Sequence, residues 1–239
     1  LDDFDFDSVG KPMPGVSLKL AADGEICAKG DNVFGGYYKM PEETAETFTE
    51  DGWLRTGDLG EIDEEDFLRI TGRKKDLIIT AGGKNIAPSA IEGLMATAPH
   101  INQVCVIGDQ RKFLSALVTL DPDAIAAWAA ENGIEVAEVA ELKADRRVVE
   151  LIEAEVAEKN RDLASYETIK KITLVDEFTI DNEMLTPTMK VKRNVAMEHY
   201  ADAIEELQDA IGERLAKLGI EAIPQDFLDT AGVDLSDFP

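Results

Sequence analysis

Four short stretches of this chain combine residue types that handle anions and hydroxyl groups. In Trp53-Leu54-Arg55-Thr56-Gly57-Asp58-Leu59 an aspartate carried on a glycine turn can accept two hydrogen bonds, which suits the vicinal hydroxyls of a ribose. Gly72-Arg73-Lys74-Lys75-Asp76 reads as an exposed, charged joint between two compositional halves. Ala81-Gly82-Gly83-Lys84-Asn85-Ile86 pairs two glycines, which permit positive φ and let a ligand approach the backbone closely. In Leu185-Thr186-Pro187-Thr188-Met189-Lys190-Val191-Lys192-Arg193, Lys190 follows a Pro-stiffened polar loop and can offer its ammonium to a phosphate or carboxylate oxygen. Each stretch also has a plainer reading. They are a turn aspartate, a connecting turn, a hairpin turn, and a basic helix start with Lys192 and Arg193 as solvated charges.

Basic residues are scarce, with 24 Lys and Arg against 49 Asp and Glu and a net charge of −25. They gather at Arg73, Lys74 and Lys75 with Lys84, at Lys170 and Lys171, and at Lys190, Lys192 and Arg193. Such gathering asks for an anionic ligand with several phosphates, or is a set of solvated surface charges. The overall negative surplus argues against nucleic acid or anionic lipid as a partner. Cys27 and Cys105 sit among strand-like apolar residues and read as small buried thiols, in keeping with a reduced, cytosolic compartment. His100 and His199 lack ligand-spaced partners, so no metal site built from protein side chains is expected. No apolar run is long enough for an integral membrane segment.

The elements that must hold these residues change in texture along the chain. Up to about Gly72 the pattern is strands and turns. Val16–Leu20 and Glu25–Lys29 alternate around Asp23-Gly24, Pro41 opens a short helix through Phe48, and Trp53-Leu54 is a short strand followed by a turn at Thr56-Gly57-Asp58. Glu61–Asp63 and Phe67–Ile70 form a hairpin around Glu64-Glu65-Asp66. Beyond Gly72, Leu77–Thr80 and Asn85–Ala87 are short strands, and Pro88 and Ser89 start a helix to about Ala96. Strands follow at Gln103–Ile107 and Leu114–Leu120, a helix at Asp145–Asn160 and a strand at Ile169–Val175. Ala203, Ile204, Leu207, Ile211 and Leu215 make a last amphipathic stripe.

Taken in order, Gly24–Gly30, Gly35-Gly36-Tyr37, Gly52–Asp58, Gly72–Asp76, Gly82–Pro88 and Ile91-Glu92 strongly resemble the adenylate-forming superfamily of acyl-CoA synthetases, luciferases and peptide-synthetase adenylation domains. Gly-Gly-Lys-Asn-Ile-Ala-Pro and Leu-Thr-Pro-Thr-Met-Lys look most like its long-chain fatty-acyl-CoA synthetases. The resemblance covers roughly residues 9 to 200. It implies an α+β fold: a β-rich remnant of the large domain's last subdomain over 1–72, a mobile C-terminal α+β domain over 73–200, and a helical, acidic extension over 201–239. It implies that Asp58 holds the ATP ribose hydroxyls, Arg73 makes a second nucleotide contact, and Lys75 is the hinge. Gly82 and Gly83 would line the pantetheine tunnel of CoA, and Lys190 would reach the substrate carboxylate and α-phosphate. Lys84, at a position where related enzymes vary, is a candidate for a CoA phosphate. The family's phosphate loop, acyl tunnel and Mg2+-coordinating glutamate belong upstream of Leu1. With Leu1-Asp2-Asp3-Phe4 in place of an initiator methionine, the expectation is a piece of an ATP-dependent long-chain fatty acid–CoA ligase, inactive alone. The expected location is cytoplasmic, with peripheral membrane association left open. A ligase loading fatty acyl groups onto a carrier protein and a non-catalytic interaction module stand as alternatives.

Overall fold

The computed structural model of the chain describes residues 5, 6, 8–135 and 138–207. It divides into two units, Leu1–Leu77 and Ile78–Pro239. The first is an antiparallel meander of β1 (Val16–Leu20), β2 (Glu25–Gly30), β3 (Leu54–Ile62) and β4 (Leu68–Arg73), paired in that order. Gly24, at φ +81°, supplies the left-handed residue that closes β1 onto β2. Ile26, Cys27, Leu59, Phe67 and Leu68 form the unit's apolar interior. A short helix, α1 (Pro41–Thr47), starts on its proline and buries no residue.

β3 differs from the expected strand–turn–strand. It is continuous, and the Thr56-Gly57-Asp58 turn survives as a bulge within it. Cys27 faces Arg55 and Glu25 faces Leu59, so residues 56–58 stand opposite Ile26 alone. Gly57 takes φ +76°, which lets the strand swell outward and then resume pairing. A second bulge follows, because Leu59 faces Gly72 while Gly60 faces Ile70.

In the second unit β5 (Ile78–Ile79) and β6 (Asn85–Ile86) form a small hairpin leading into α2 (Pro88–Met95). β7 (Ile101–Ile107) pairs antiparallel with β8 (Leu114–Leu120), and β8 pairs parallel with β9 (Ile169–Leu174). A parallel return needs a long crossover, supplied by α3 (Pro122–Glu131) and α4 (Arg146–Lys159). The side chains of Asp121 and Asp145 cap these helices, accepting from the N–H groups of Ala124 and Arg147. One sheet face, with Val104, Val106, Ala116 and Val118, packs with Ile125, Val148, Ile152 and Val156 of the helices. The opposite face, with Cys105, Ile107 and Leu117, packs with Phe178, Met184, Leu185 and Ala196 of α5 (Arg193–His199) and the loop before it. β8, covered on both faces, is buried along Leu114–Thr119 rather than in alternation, with Ser115 and Thr119 buried among its apolar residues. Residues 201–207 are helical with Ile204 and Leu207 buried; Ile211, Leu215 and the rest of the expected extension lie outside the described residues. Among the described residues no helix is long and apolar enough to cross a membrane.

Candidate functional site

In the first unit the two bulges set Asp58 beside Arg73. The residues are register partners on β3 and β4, and the Arg73 Nε donates to Asp58 Oδ1 at 3.0 Å. The bulge is fixed from within: the Thr56 hydroxyl donates to the Ile26 carbonyl at 2.7 Å and accepts from the Asp58 N–H at 3.1 Å. Gly57 N–H donates to the Glu25 carboxylate at 3.1 Å. Asp58 is half-buried and Arg73 exposed. The pair is thus an anion and a cation side by side, reachable from solvent and held on a stiff backbone.

The joint begins one residue after Arg73 with a 3-10 turn over Lys74–Asp76. The Lys74 ammonium is not a free cation. It meets Asp23 at 2.6 Å and Glu25 at 2.9 Å, and those two carboxylates hold it above its ordinary 10.5. Glu25 is 3 % exposed, the only acidic residue among the buried ones described, and it also faces Arg55 at 3.5 Å. Lys75 and Asp76 are exposed.

In the second unit the loop between β5 and β6 is a tight turn. Gly83 N–H donates to the Thr80 carbonyl at 2.8 Å and Thr80 N–H to the Lys84 carbonyl at 3.0 Å. Of the two glycines only Gly83 takes a positive φ, +77°. Both are exposed, and open space surrounds the position a Cβ on Gly83 would take, so the backbone is bare on that side. The Lys84 ammonium lies 5.3 Å from the centre of the Tyr166 ring, a cation–π contact.

Lys190 stands in a second closed turn. Leu185 and Val191 form a bridge, Thr186 N–H donates to the Lys190 carbonyl at 2.8 Å, and Lys190 N–H donates to the Thr186 hydroxyl at 3.0 Å. Met189, exposed, takes φ +62°, an uncommon conformation for a bulky residue. The left-handed backbone at Met189 and these two hydrogen bonds thus fix where Lys190 leaves the loop, and its side chain is exposed. Arg193, three residues on, is not a solvated charge. It donates to the Val106 carbonyl at 2.6 Å and to Glu92 at 2.7 Å, while Glu92 accepts from the Val106 N–H at 2.8 Å. This clamp ties the end of the Lys190 loop to β7 and α2.

Ion pairing inside the fold therefore accounts for part of the basic clustering. Arg73, Lys74 and Arg193 all have carboxylate partners, whereas Lys75 and Lys190 project from exposed backbone. Sequence reasoning missed Asp23 and Glu25 as partners of Lys74. The available signal was Glu25 itself, an acidic residue at the head of an apolar strand.

Comparisons with known proteins identify what the chain is similar to. Residues 75–211, more than half of the chain, match the family model of the AMP-binding enzyme C-terminal domain. A long-chain-fatty-acid–CoA ligase of Mycobacterium tuberculosis, FadD15, is 45 % identical over 206 residues, covering 85 % of this chain and 34 % of that protein. The long-chain-fatty-acid–CoA ligase ACSBG1 of Bos taurus is 40 % identical over 222 residues, covering 83 % of this chain and 31 % of that protein. The chain thus spans about a third of the length of these relatives. Among solved structures, the adenylation domain of a carboxylate reductase from Mycobacterium chelonae superposes with a TM-score of 0.66 at 26 % identity, covering 84 % of this chain and 32 % of that one. With the hairpin, the joint and the lysine loop lying in the order that the resemblance requires, the chain belongs to the adenylate-forming superfamily and carries its AMP-binding enzyme C-terminal domain.

Proposed function

We propose that this chain is the C-terminal part of an AMP-forming long-chain fatty acid–CoA ligase. In the first half-reaction a fatty carboxylate oxygen bonds to the α-phosphorus of ATP and the bond to the leaving pyrophosphate breaks, giving acyl-AMP. In the second, the CoA sulfur bonds to the acyl carbon, the bond to AMP breaks, and the thiol proton is lost. Asp58 accepts from the ribose hydroxyls and Arg73 makes the second nucleotide contact. Lys190 stabilises negative charge as it develops on carboxylate and phosphate oxygens. Gly82 and Gly83 give the pantetheine arm a backbone without side chains to pass. Lys75 is the residue at which the second unit swings between the two steps, so that the lysine loop and the glycine loop serve in turn. Among the described residues no group of three His, Cys, Asp or Glu is placed to hold a metal ion. The Mg2+ that would accompany ATP is assigned in this reading to the part of the enzyme outside this chain. A cytoplasmic enzyme, peripheral where it meets membranes, goes with this reading.

The observation that carries the proposal is Lys190, an exposed ammonium on a turn closed by its own backbone and by Thr186. A flexible lysine would lose freedom on engaging the reaction centre, whereas this one has its backbone already set. A contact of this kind typically lowers the barrier by about 3 kcal/mol, or two to three decades in rate. In the complete protein Lys190→Ala should slow acyl-AMP formation by about that much while leaving CoA acylation from supplied acyl-AMP intact. Rapid-quench measurement of the two half-reactions checks this, and equal slowing of both rejects the assignment.

A further inference from the structure

The role of Glu25 extends beyond holding one lysine. Its two carboxylate oxygens face different functional segments. Oε1 accepts from the Gly57 N–H at 3.1 Å, inside the bulge that presents Asp58. Oε2 takes the Lys74 ammonium at 2.9 Å and the Arg55 guanidinium at 3.5 Å. Glu25 is itself fixed, as the buried first residue of β2, with Leu59 as its register partner across the sheet. A buried carboxylate is costly unless it is paired and hydrogen-bonded, and here the backbone donor and the two cations offset that cost together. Lys74 is the last residue of the joint shown to be held to the first unit through its side chain. Only Lys75, Asp76 and Leu77 lie between it and Ile78, where the second unit starts.

We propose that Glu25 is a positioning residue that sets both the nucleotide-holding bulge and the fixed end of the pivot, so that rotation is confined to Lys75–Leu77. The inference rests on the roles given above to Asp58 and Lys75, but its geometry is testable without catalysis. Asp23, at 2.6 Å from Lys74, assists from the exposed side and does not reach the bulge through any bond described. The two oxygens of Glu25 therefore make two separable demands. A glutamine keeps an acceptor for Gly57 but loses the charge that draws Lys74; an alanine loses both.

The test has two arms. In the first, this chain is treated with acetic anhydride and the acetylation rates of Lys74 and Lys75 are compared by peptide mass spectrometry. Lys74 should react more slowly than Lys75, and Glu25→Gln and Glu25→Ala should each speed Lys74 severalfold while leaving Lys75 unchanged. In the second, the complete protein is assayed for adenylation. Glu25→Ala should raise the KM for ATP by about tenfold, the scale of one lost charge-assisted hydrogen bond, with kcat for adenylation less affected. Glu25→Gln should keep that KM near the wild-type value. Should the alanine variant fail to fold, the glutamine variant still decides, because acceleration at Lys74 with an unmoved KM is a split that general loosening would not give. Lys74 acetylation that ignores both substitutions overturns the anchor. Faster Lys74 acetylation with identical KM changes in both variants overturns the two-oxygen division. A wild-type complete protein that forms no acyl-AMP rejects the functional reading instead, and the labelling arm then decides the anchor by itself.

Discussion

Cys105 shows how one side chain can report on the interior of the second unit. It is fully buried in β7, with Arg193 Nη1 at 3.5 Å from its sulfur. Burial pushes its thiol up to about 11 from an ordinary 9.0, Arg193 opposing and Glu92 reinforcing the shift. The folded chain thus keeps a proton that the unfolded chain releases as pH passes 9.0, so stability falls from there towards about 11. The slope from this group is about 1.4 kcal/mol per pH unit within that window. Urea unfolding across the window should show that slope for the native chain and less of it for Cys105→Ala, whatever the alanine costs in absolute stability. Parallel curves reject the assignment. For the same reason Cys105 should resist alkylation in the folded chain and react once unfolded.

At the scale of elements, the bulged ribbon β3–β4 is the part most sensitive to small changes. A Cβ on Gly60 would sit 2.6 Å from the Arg69 carbonyl and 2.8 Å from Ile26 Cδ1, and a backbone atom cannot step aside as a side chain can. Gly60→Ala should therefore cost about 1–3 kcal/mol and loosen the Asp58–Arg73 pair, read as a lower urea midpoint for this chain. An unchanged midpoint means that the ribbon has slack the distances do not show. The same ribbon marks where sequence patterning stops informing. Asp23-Gly24 and the Pro and Asp residues at helix starts are local signals, and β1, β2, α1, α2 and α4 are legible from them. Thr56-Gly57-Asp58 was legible as a turn but not as a bulge, because its partner Ile26 lies 30 residues away. The parallel pairing of β8 with β9 was likewise hidden, since the residue types of a strand record burial and not direction. Lys190 was legible as following a Pro-stiffened polar loop, whereas the closing of that loop through Thr186 was not. Nor was the Arg193–Glu92 clamp, because the two residues are 101 positions apart and each looks like surface charge in its own stretch.

For the whole molecule, the proposed alternation places one stringent demand on the chain between the units. Lys74 is tied through its side chain to Asp23 and Glu25, so the proposed rotation would start at Lys75. A proline at 75 strikes both sides of that point. Its ring fixes φ near −65° at the pivot and disfavours the helical conformation Lys74 holds before it. Neither effect touches the groups assigned to the chemistry, in contrast to Lys190→Ala, which removes one. Lys75→Pro in the complete protein should consequently lower steady-state acyl-CoA formation by at least about tenfold, or about 1.4 kcal/mol of barrier. Fluorescence transfer between dyes on the two units should show the loss as slower exchange between states rather than as weaker ATP binding. If steady-state turnover and both half-reactions keep their wild-type rates, Lys75 is not the pivot. If exchange slows while turnover is unchanged, the swing exists but is not needed for passage from acyl-AMP to thioester, and the alternation must be discarded as the reason for the joint.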